Sequence, residues 1–278
     1  MWTENEKAPV WEFLGWLLLI TVICGVICYL LEPYSIAFAD TGNLTIEYVV
    51  YAIIGMFIST PSPMISTFIT LKRRKKSISV KDFFRLIIKN PANPKIKTVI
   101  ITSAFCIAAL CVAIIYGTPT GSPWYLLIVS MPVLMVVGGG SEEVGWRGFL
   151  QPTLEKRFPF PIAVIIVGAL WFSWHLNLWL MPTSNHYNCS LIGFAINIAA
   201  WSFALAAIYK QTKSVLACVV YHAFVNAIGS VYNWNDLFCE FPNRGGVYVY
   251  YGLILVASII MWILADMKKT DSVTASSA

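Results

Sequence analysis

Gly138 to Phe149, reading GGGSEEVGWRGF, places two adjacent carboxylates and an arginine inside a strongly apolar part of the chain. Ionisable side chains in such a run are costly, so they normally have partners and mark a site of function. On a helix, Glu143 and Arg147 are four residues apart and share a face, which predicts an ion pair. Glu142 is rotated by about 100° and has no such local partner. The pattern predicts a structural role for Glu143 and Arg147 and leaves Glu142 for chemistry.

The composition indicates an integral membrane protein. Of the 278 residues, 58% are hydrophobic and 12% are charged, against about 25% charged residues in soluble domains. Apolar runs of bilayer-spanning length recur along the chain, and no convincing signal peptide precedes the first of them. We therefore expect an all-α fold: a polytopic membrane helix bundle of about eight transmembrane helices, forming a single membrane domain over residues 1–278.

Residues that interrupt the apolar runs predict where the spans are distorted. Pro61 and Pro63 remove two backbone donors from the second span and predict a kink. The fourth span is longer than a ~30 Å hydrocarbon core requires, so we expect it to break at Gly138–Gly140, with Ser141 as an N-cap. A polar loop containing Glu32 is expected after the first span. The expected spans are residues 13–31, 47–71, 98–116, 124–157, 160–180, 191–209, 214–232 and 247–265.

The distribution of basic residues predicts the orientation of these spans. Alternating the loops places 17 of the 19 Lys and Arg residues on one face, ten of them within residues 72–97. The positive-inside rule makes this face, with both termini, cytoplasmic. Topology and attraction to anionic lipid account for the basic loop, so we expect the bilayer and no nucleic acid as its partner. We expect the plasma membrane of a prokaryote, or the endoplasmic reticulum if the chain is eukaryotic.

Cysteine positions suggest one cross-link. Five of the seven cysteines lie in apolar runs, where cysteine behaves as a small hydrophobic residue. Cys189 and Cys239 lie in polar loops on the predicted non-cytoplasmic side, and a disulfide between them is a hypothesis. No CxxC motif or Cys/His metal spacing occurs.

Polar side chains within other spans are candidate partners of Glu142. They are His175 and, four residues apart on one helix face, His222 and Asn226. Counted from the basic face at ~1.5 Å per residue, the carboxylate and the two histidines lie roughly 22, 24 and 14 Å deep. A carboxylate beside a neutral imidazole can deprotonate a water, and a second imidazole with an amide N–H can stabilise an oxyanion. These residues predict hydrolysis of an amide without a nucleophilic Ser or Cys.

Other polar and aromatic residues receive simpler interpretations. Asn197, Trp171 and Trp174 are interpreted as packing or interface residues. His186, in a polar loop, is interpreted as a solvated residue without a role.

Three motifs resemble those of the CAAX-protease and bacteriocin-processing (CPBP, or Abi) family of intramembrane proteases. EEVGWR at 142–147 fits the family's EExxxR motif, and HAFVN at 222–226 fits its HxxxN motif. WFSWH at 171–175 resembles FxxxH, with Trp171 where the family has Phe. The order and spacing match over about 85 residues, and the eight-span layout agrees.

The resemblance implies roles for these residues. Glu142, with His175, would activate the attacking water, and His222 and Asn226 would form the oxyanion site. The second carboxylate and the arginine of the first motif would hold the helix geometry. Residues 124–232 would then be the catalytic core, following the N-terminal spans and basic cytoplasmic loop of residues 1–123.

The resemblance also implies a substrate class. Family members include type II CAAX prenyl endopeptidases, which remove the last three residues of prenylated proteins, and enzymes that process bacteriocins or confer immunity to them. We therefore expect an intramembrane endopeptidase acting on a prenylated or other membrane-associated peptide.

Metal dependence and two other functions stay open. The family has been treated both as metalloproteases and as glutamate-dependent enzymes, and Glu142, His175 and His222 could form a zinc site with one position open for water. Because HExxH is absent, we favour a mechanism without a metal cofactor. The alternatives are a proton-coupled transporter or channel that uses the same buried Glu, His and Arg residues, and a non-catalytic bacteriocin-immunity protein.

Overall fold

The protein is an all-helical membrane bundle, as the sequence predicts. The computed structural model describes residues 10–74, 78–88, 95–233, 248–249 and 251–263. Two short strands, β1 (Thr118–Pro119) and β2 (Tyr232–Asn233), pair in antiparallel fashion. The helices are α1 (Val10–Thr41), α2 (Ile46–Ile54), α3 (Ser62–Arg74), α4 (Val80–Ile88), α5 (Lys95–Tyr116), α6 (Tyr125–Val137), α7 (Glu143–Gly145), α8 (Gln151–Leu154), α9 (Phe160–His175), α10 (Leu191–Thr212), α11 (Val215–Ile228) and α12 (Tyr251–Ile263).

Helices of membrane-spanning length occupy most of the predicted positions. Within the described residues, five helical stretches are long and apolar enough to cross a bilayer, and the bent pair Ile46–Ser59 and Ser62–Arg74 makes a sixth. Helices α11 and α12 coincide with the last two expected spans but are shorter. The count of about eight spans and the cytoplasmic position of the termini stay predictions.

Helix α1 extends ten residues beyond the predicted end of the first span. It passes Pro33 and ends at Thr41, so the predicted loop at Glu32 is wrong. Glu32 is buried in the helix, where its carboxylate accepts hydrogen bonds from the backbone N–H and hydroxyl of Thr183 at 2.7 and 2.6 Å. These two bonds offset the free-energy cost of removing the carboxylate from water. The sequence alone does not reveal them, because Thr183 is distant from Glu32 in the chain.

The proline-rich segment after α2 produces the predicted kink. The two halves of this span are bent by 55°, with a π-helical turn at Gly55–Ser59 just before the prolines. The bend brings Pro63 against α7 so closely that a Cβ at Gly145 would lie 2.7 Å from the Pro63 carbonyl oxygen. The indole N–H of Trp174 donates to Ser62 Oγ at 3.1 Å. The kinked span therefore packs directly behind the GGGSEEVGWRGF segment.

Helices α10 and α11 form the centre of the bundle. Ser190 and Ser214 cap their N-termini by accepting hydrogen bonds from the N–H groups of Gly193 and Ala217, as short polar side chains do at helix starts. Small and branched apolar residues of both helices are almost completely buried, among them Ala204, Leu205, Ala207, Ile208, Ala223 and Val225.

Contacts between loops and helix ends define two opposite faces of the bundle. On one face, Thr118 pairs with Asn233, and Thr183 contacts the end of α1 through Glu32. On the other face, Arg73 and Arg74 pair with Glu12, each at 2.9 Å, and Lys210 pairs with Glu155 at 3.2 Å. We call these the loop face and the basic face.

Candidate active site

The chain breaks at the glycine run, as predicted, and this break lies against two of the candidate residues. Helix α6 ends at Val137, and Gly139 has a φ of 103°. A Cβ at Gly139 would lie 2.4 Å from Asn226 Nδ2 and 2.7 Å from His222 Nε2. Asn226 Nδ2 donates to the carbonyl oxygen of Gly138 at 2.7 Å. Glycine is therefore required here by both backbone conformation and space.

The N-cap predicted at Ser141 is wrong. Its buried hydroxyl oxygen has no hydrogen-bond partner among the described residues. A 3₁₀ turn at Gly140–Glu142 leads directly into α7, and the N–H of Glu142 donates to the Gly139 carbonyl at 3.0 Å. Because the backbone turn already satisfies these donors, no side chain is needed to cap them.

The expected ion pair between Glu143 and Arg147 is present and completely buried. Arg147 Nη1 lies 3.1 Å from Glu143 Oε2, and both side chains have no solvent exposure. The guanidinium also stacks 4.9 Å from the centre of the Trp171 ring and donates from Nη2 to the Ser202 carbonyl at 3.4 Å. Arg147 therefore connects α7 to both α9 and α10.

Glu143 has a second partner that the sequence did not reveal. Its Oε1 lies 2.7 Å from Nδ1 of His222, on α11. A carboxylate paired with Arg147 can only accept, so His222 Nδ1 is the donor. The opposite ring nitrogen, Nε2, then faces the Gly139 backbone. Glu143 therefore orients His222 in addition to neutralising Arg147.

Glu142 is held by an indole instead of a charged group. Trp171 Nε1 donates to Glu142 Oε2 at 2.8 Å, and the carboxylate is buried. The interpretation of Trp171 as a packing residue is therefore incomplete. Phenylalanine, which the family's motif has at this position, cannot make this bond. The presence of Trp171 in place of Phe was the signal in the sequence for this hydrogen bond, because a buried Trp N–H usually finds a partner.

His175 is oriented by its own helix. Its Nδ1 lies 2.8 Å from the backbone carbonyl oxygen of Trp171, and a carbonyl only accepts, so Nδ1 carries the proton. Nε2 is then left with a free lone pair. The ring packs between Trp174 and Phe194, with ring centres at 4.7 and 5.2 Å. His175 is therefore a fixed acceptor at the end of α9.

His186 is not the solvated residue that the sequence suggested. It is half-buried, with its ring 4.9 Å from that of Phe194 and 6.0 Å from that of His175. Burial lowers its pKa to about 4, so the imidazole is neutral near pH 7. His186 is a further polar residue beside His175.

One cavity of about 520 Å³ brings the four predicted catalytic residues together. Glu142, His175, His222 and Asn226, which come from three different segments of the chain, all line it. Asn197 also lines the cavity and is 1% exposed. Its Oδ1 accepts no hydrogen bond from any residue that the structure describes, so it is available to a ligand. The cavity lining also includes Trp171, His186, Trp201, Ser230 and Asn233.

The residues around the cavity do not form a metal-binding group. Within the part of the chain that the structure describes, no three His, Cys, Asp or Glu side chains are arranged to hold one ion. Glu142, His175 and His222, the zinc ligands considered above, are therefore not arranged as such a group, and we derive no step through a zinc ion.

One of the two predicted disulfide partners can be placed. Cys189 is disulfide-bonded, whereas Cys24, Cys28, Cys106, Cys111 and Cys218 are free. Cys239 lies outside the described residues. Cys189 lies in the loop between α9 and α10, on the loop face.

Comparison with known proteins agrees with the motifs. The model of the Rce1-like type II CAAX prenyl endopeptidase family matches residues 122–228, which include all four candidate residues. A curated relative, CAAX prenyl protease 2 of Methanococcus maripaludis, is 25% identical over 197 residues, which cover 63% of this chain and 72% of that protein. The segment that carries the three motifs is therefore similar to the CPBP family of membrane proteases.

Proposed function

We propose that this protein is an intramembrane endopeptidase that hydrolyses a peptide bond with a water activated by Glu142 and His175. The observation that carries the proposal is the meeting of Glu142, His175, His222 and Asn226 in one cavity. Similarity to this family supports the reaction class. The residue roles are assigned from the contacts of each side chain.

The first step is attack of water on the scissile carbonyl carbon. Glu142 takes a proton from the water, while the free lone pair of His175 Nε2 accepts the second water hydrogen and aims the oxygen. A C–O bond forms, and the carbonyl electron pair moves onto oxygen. Trp171 leaves one oxygen of Glu142 for this task by binding the other.

The oxyanion is stabilised by Asn226 and His222, on the opposite wall of the cavity. Asn226 has two N–H donors, of which one is used on the Gly138 carbonyl, so the second can bind the oxyanion. His222 can donate from Nε2 when its ring carries both protons, with Glu143 as counter-ion. The C–N bond then breaks, and Glu142 returns its proton to the leaving amine.

The substrate we propose is a prenylated or other membrane-associated peptide. The curated relative is named as a CAAX prenyl protease, and the cavity lies within a bundle whose apolar helices fit a bilayer. A substrate with its own lipid or apolar anchor is concentrated in the same plane.

Cleavage of a prenylated CAAX peptide in liposomes tests the proposal. We expect Glu142→Gln to abolish cleavage, because an amide cannot take the proton from water. Asp40→Asn, the same change at an exposed residue of α1, should leave cleavage unchanged. Equal cleavage by wild type and Glu142→Gln would overturn the mechanism. Proton flux that requires Glu142, without cleavage, would favour the transporter.

Metal dependence is tested in the same assay. We propose that no metal cofactor takes part, and we expect cleavage to survive exhaustive chelation. Loss of activity that zinc restores would reverse this assignment.

A further inference from the structure

The mouth of the cavity lies at the loop face of the bundle. Asn185 and His186 belong to the loop between α9 and α10, and Ser230 and Asn233 follow the end of α11. Asn185 and Asn233 are exposed. Residues from the two loops thus surround the entrance above the four candidate catalytic side chains.

Towards the basic face, the described part of the chain is closed by apolar packing. Leu150, Leu205 and Ile208 are completely buried, and Leu154 is 8% exposed. They belong to one hydrophobic core, in the region between the buried Glu143–Arg147 pair and the Glu155–Lys210 pair on the basic face. A peptide therefore does not reach the cavity from the basic face.

The charge distribution identifies the side of the membrane to which the loop face belongs. The loops at residues 42–45, 117–124 and 181–190 contain no Lys or Arg. The opposite face carries 17 of the 19 Lys and Arg residues in the alternating layout. Such an asymmetry places the basic face in the cytoplasm and the loop face outside it.

The disulfide at Cys189 is an independent observation that agrees with this orientation. Cys189 lies in the same loop as Asn185 and His186 at the mouth. Disulfides persist in oxidising compartments and are rare in the cytosol. Charge and redox chemistry thus assign the mouth to the same side.

We propose that the cavity opens to the non-cytoplasmic side of the membrane and that its substrate is a membrane-anchored peptide presented from that side. The second half of this inference rests on the proposed endopeptidase function. Among the membrane-associated peptides proposed above as substrates, it favours one that is exported or translocated.

Cysteine labelling in intact cells tests the orientation without relying on activity. Asn233→Cys places a thiol at the mouth, and Arg157→Cys places one at an exposed position between α8 and α9, on the basic face. A membrane-impermeant maleimide should label Asn233→Cys in intact cells and Arg157→Cys only after permeabilisation. The protein without an added cysteine gives the background, and Asn185→Cys provides a second reporter at the mouth.

The reverse labelling pattern, or equal labelling of both positions in intact cells, would overturn the proposal. The same labelling experiment can be done with the Glu142→Gln protein. A failed protease assay therefore does not affect the result on orientation.

A second measurement connects the mouth to the site. Asn233→Cys modified with a bulky maleimide should lose cleavage of the prenylated peptide, whereas modified Arg157→Cys should retain it. Full cleavage after modification at the mouth would show that substrate enters elsewhere. Absence of cleavage in both unmodified variants would count against the endopeptidase function and not against the orientation.

Discussion

At the scale of single residues, Trp171 connects more of the candidate site than any motif position suggests. Its indole N–H holds Glu142, its carbonyl oxygen fixes the tautomer of His175, and its ring lies under Arg147. The backbone contact would survive any substitution, and a phenyl ring would keep most of the packing. The N–H is therefore the one feature that tryptophan adds.

Trp171→Phe tests the contribution of this N–H. Loss of a hydrogen bond to a carboxylate costs about 1.5–3 kcal/mol. If this bond positions Glu142 for the reaction, kcat should fall by roughly 10- to 100-fold. KM should change little, whereas the melting temperature in detergent should fall, because the same hydrogen bond satisfies a buried carboxylate. Trp174→Phe is the matched control, because that indole N–H binds Ser62 instead. Unchanged kcat in Trp171→Phe would remove the proposed positioning role.

Glu143 is the residue whose interpretation changes most. The sequence assigned it to Arg147 alone, yet it also orients His222. Its partners are four and 79 positions away in the chain. The first contact follows from helix geometry, whereas the second depends on how α11 packs against α7.

Glu143→Gln should lower both stability and activity. It leaves Arg147 buried without a counter-ion, which costs about 3–5 kcal/mol, measured as loss of folded protein and a lower melting temperature. The double variant Glu143→Gln/Arg147→Met removes the unpaired charge and should recover much of this stability. It should stay inactive, because His222 still lacks its carboxylate. A single variant that is stable but inactive would give Glu143 a chemical role in place of an architectural one.

At the scale of elements, irregular turns place the functional groups. The π turn at Gly55–Ser59 and the prolines after it bend one span, and the glycine run ends α6 before the Glu pair. A further π turn follows at Trp146–Leu150, and such turns occur frequently at functional sites. Regular helices through these positions would carry the motif residues away from α9 and α11.

Gly139→Ala tests the glycine run. A methyl group at a φ of 103° is strained and would lie 2.4 Å from Asn226 Nδ2. The backbone strain alone costs about 1–3 kcal/mol, and displacement of Asn226 and His222 should reduce cleavage severely. Gly42→Ala is the matched control: its φ is 69°, but nothing lies within 4 Å of the added methyl. Equal effects of both changes on activity would show that crowding at the site is unimportant.

Proline and glycine made the element distortions predictable, because these residues act on the backbone locally. The kink after α2 and the break after α6 follow from Pro61, Pro63 and the glycines alone. The end of α1 and the state of Ser141 were predicted wrongly. The helix continues past Glu32 because Thr183 satisfies the buried carboxylate. At Ser141, the backbone turn already supplies the hydrogen-bond partners that a side-chain cap would have provided. Both outcomes depend on hydrogen bonds that the sequence pattern does not reveal.

At the scale of the whole molecule, the sequence predicted a membrane bundle and one strongly basic face. It also placed Glu142, His175 and His222 within roughly 10 Å of one another in depth, counted from the basic face. His175, however, ends α9, and the cavity is surrounded by the loops beyond that end. The predicted depths alone did not reveal on which face of the bundle the cavity opens. That depends on the packing of Leu150, Leu205 and Ile208, which closes the side towards the basic face.

The buried pair of Glu143 and Arg147 has a consequence for how the chain enters the bilayer. Synthesis proceeds from the N-terminus, so this segment meets the translocon before His222, 79 residues later, exists. A lone charge at the centre of an inserting helix costs about 2.5–3.5 kcal/mol, and a pair within one turn arrives already neutralised. We expect Glu143→Lys, which keeps the number of charged residues but abolishes the pair, to reduce the fraction of newly made chains that integrate in a cell-free membrane-insertion assay. His222→Ala should leave this fraction unchanged. Equal integration of both would mean that the pair matters only after the helices have assembled.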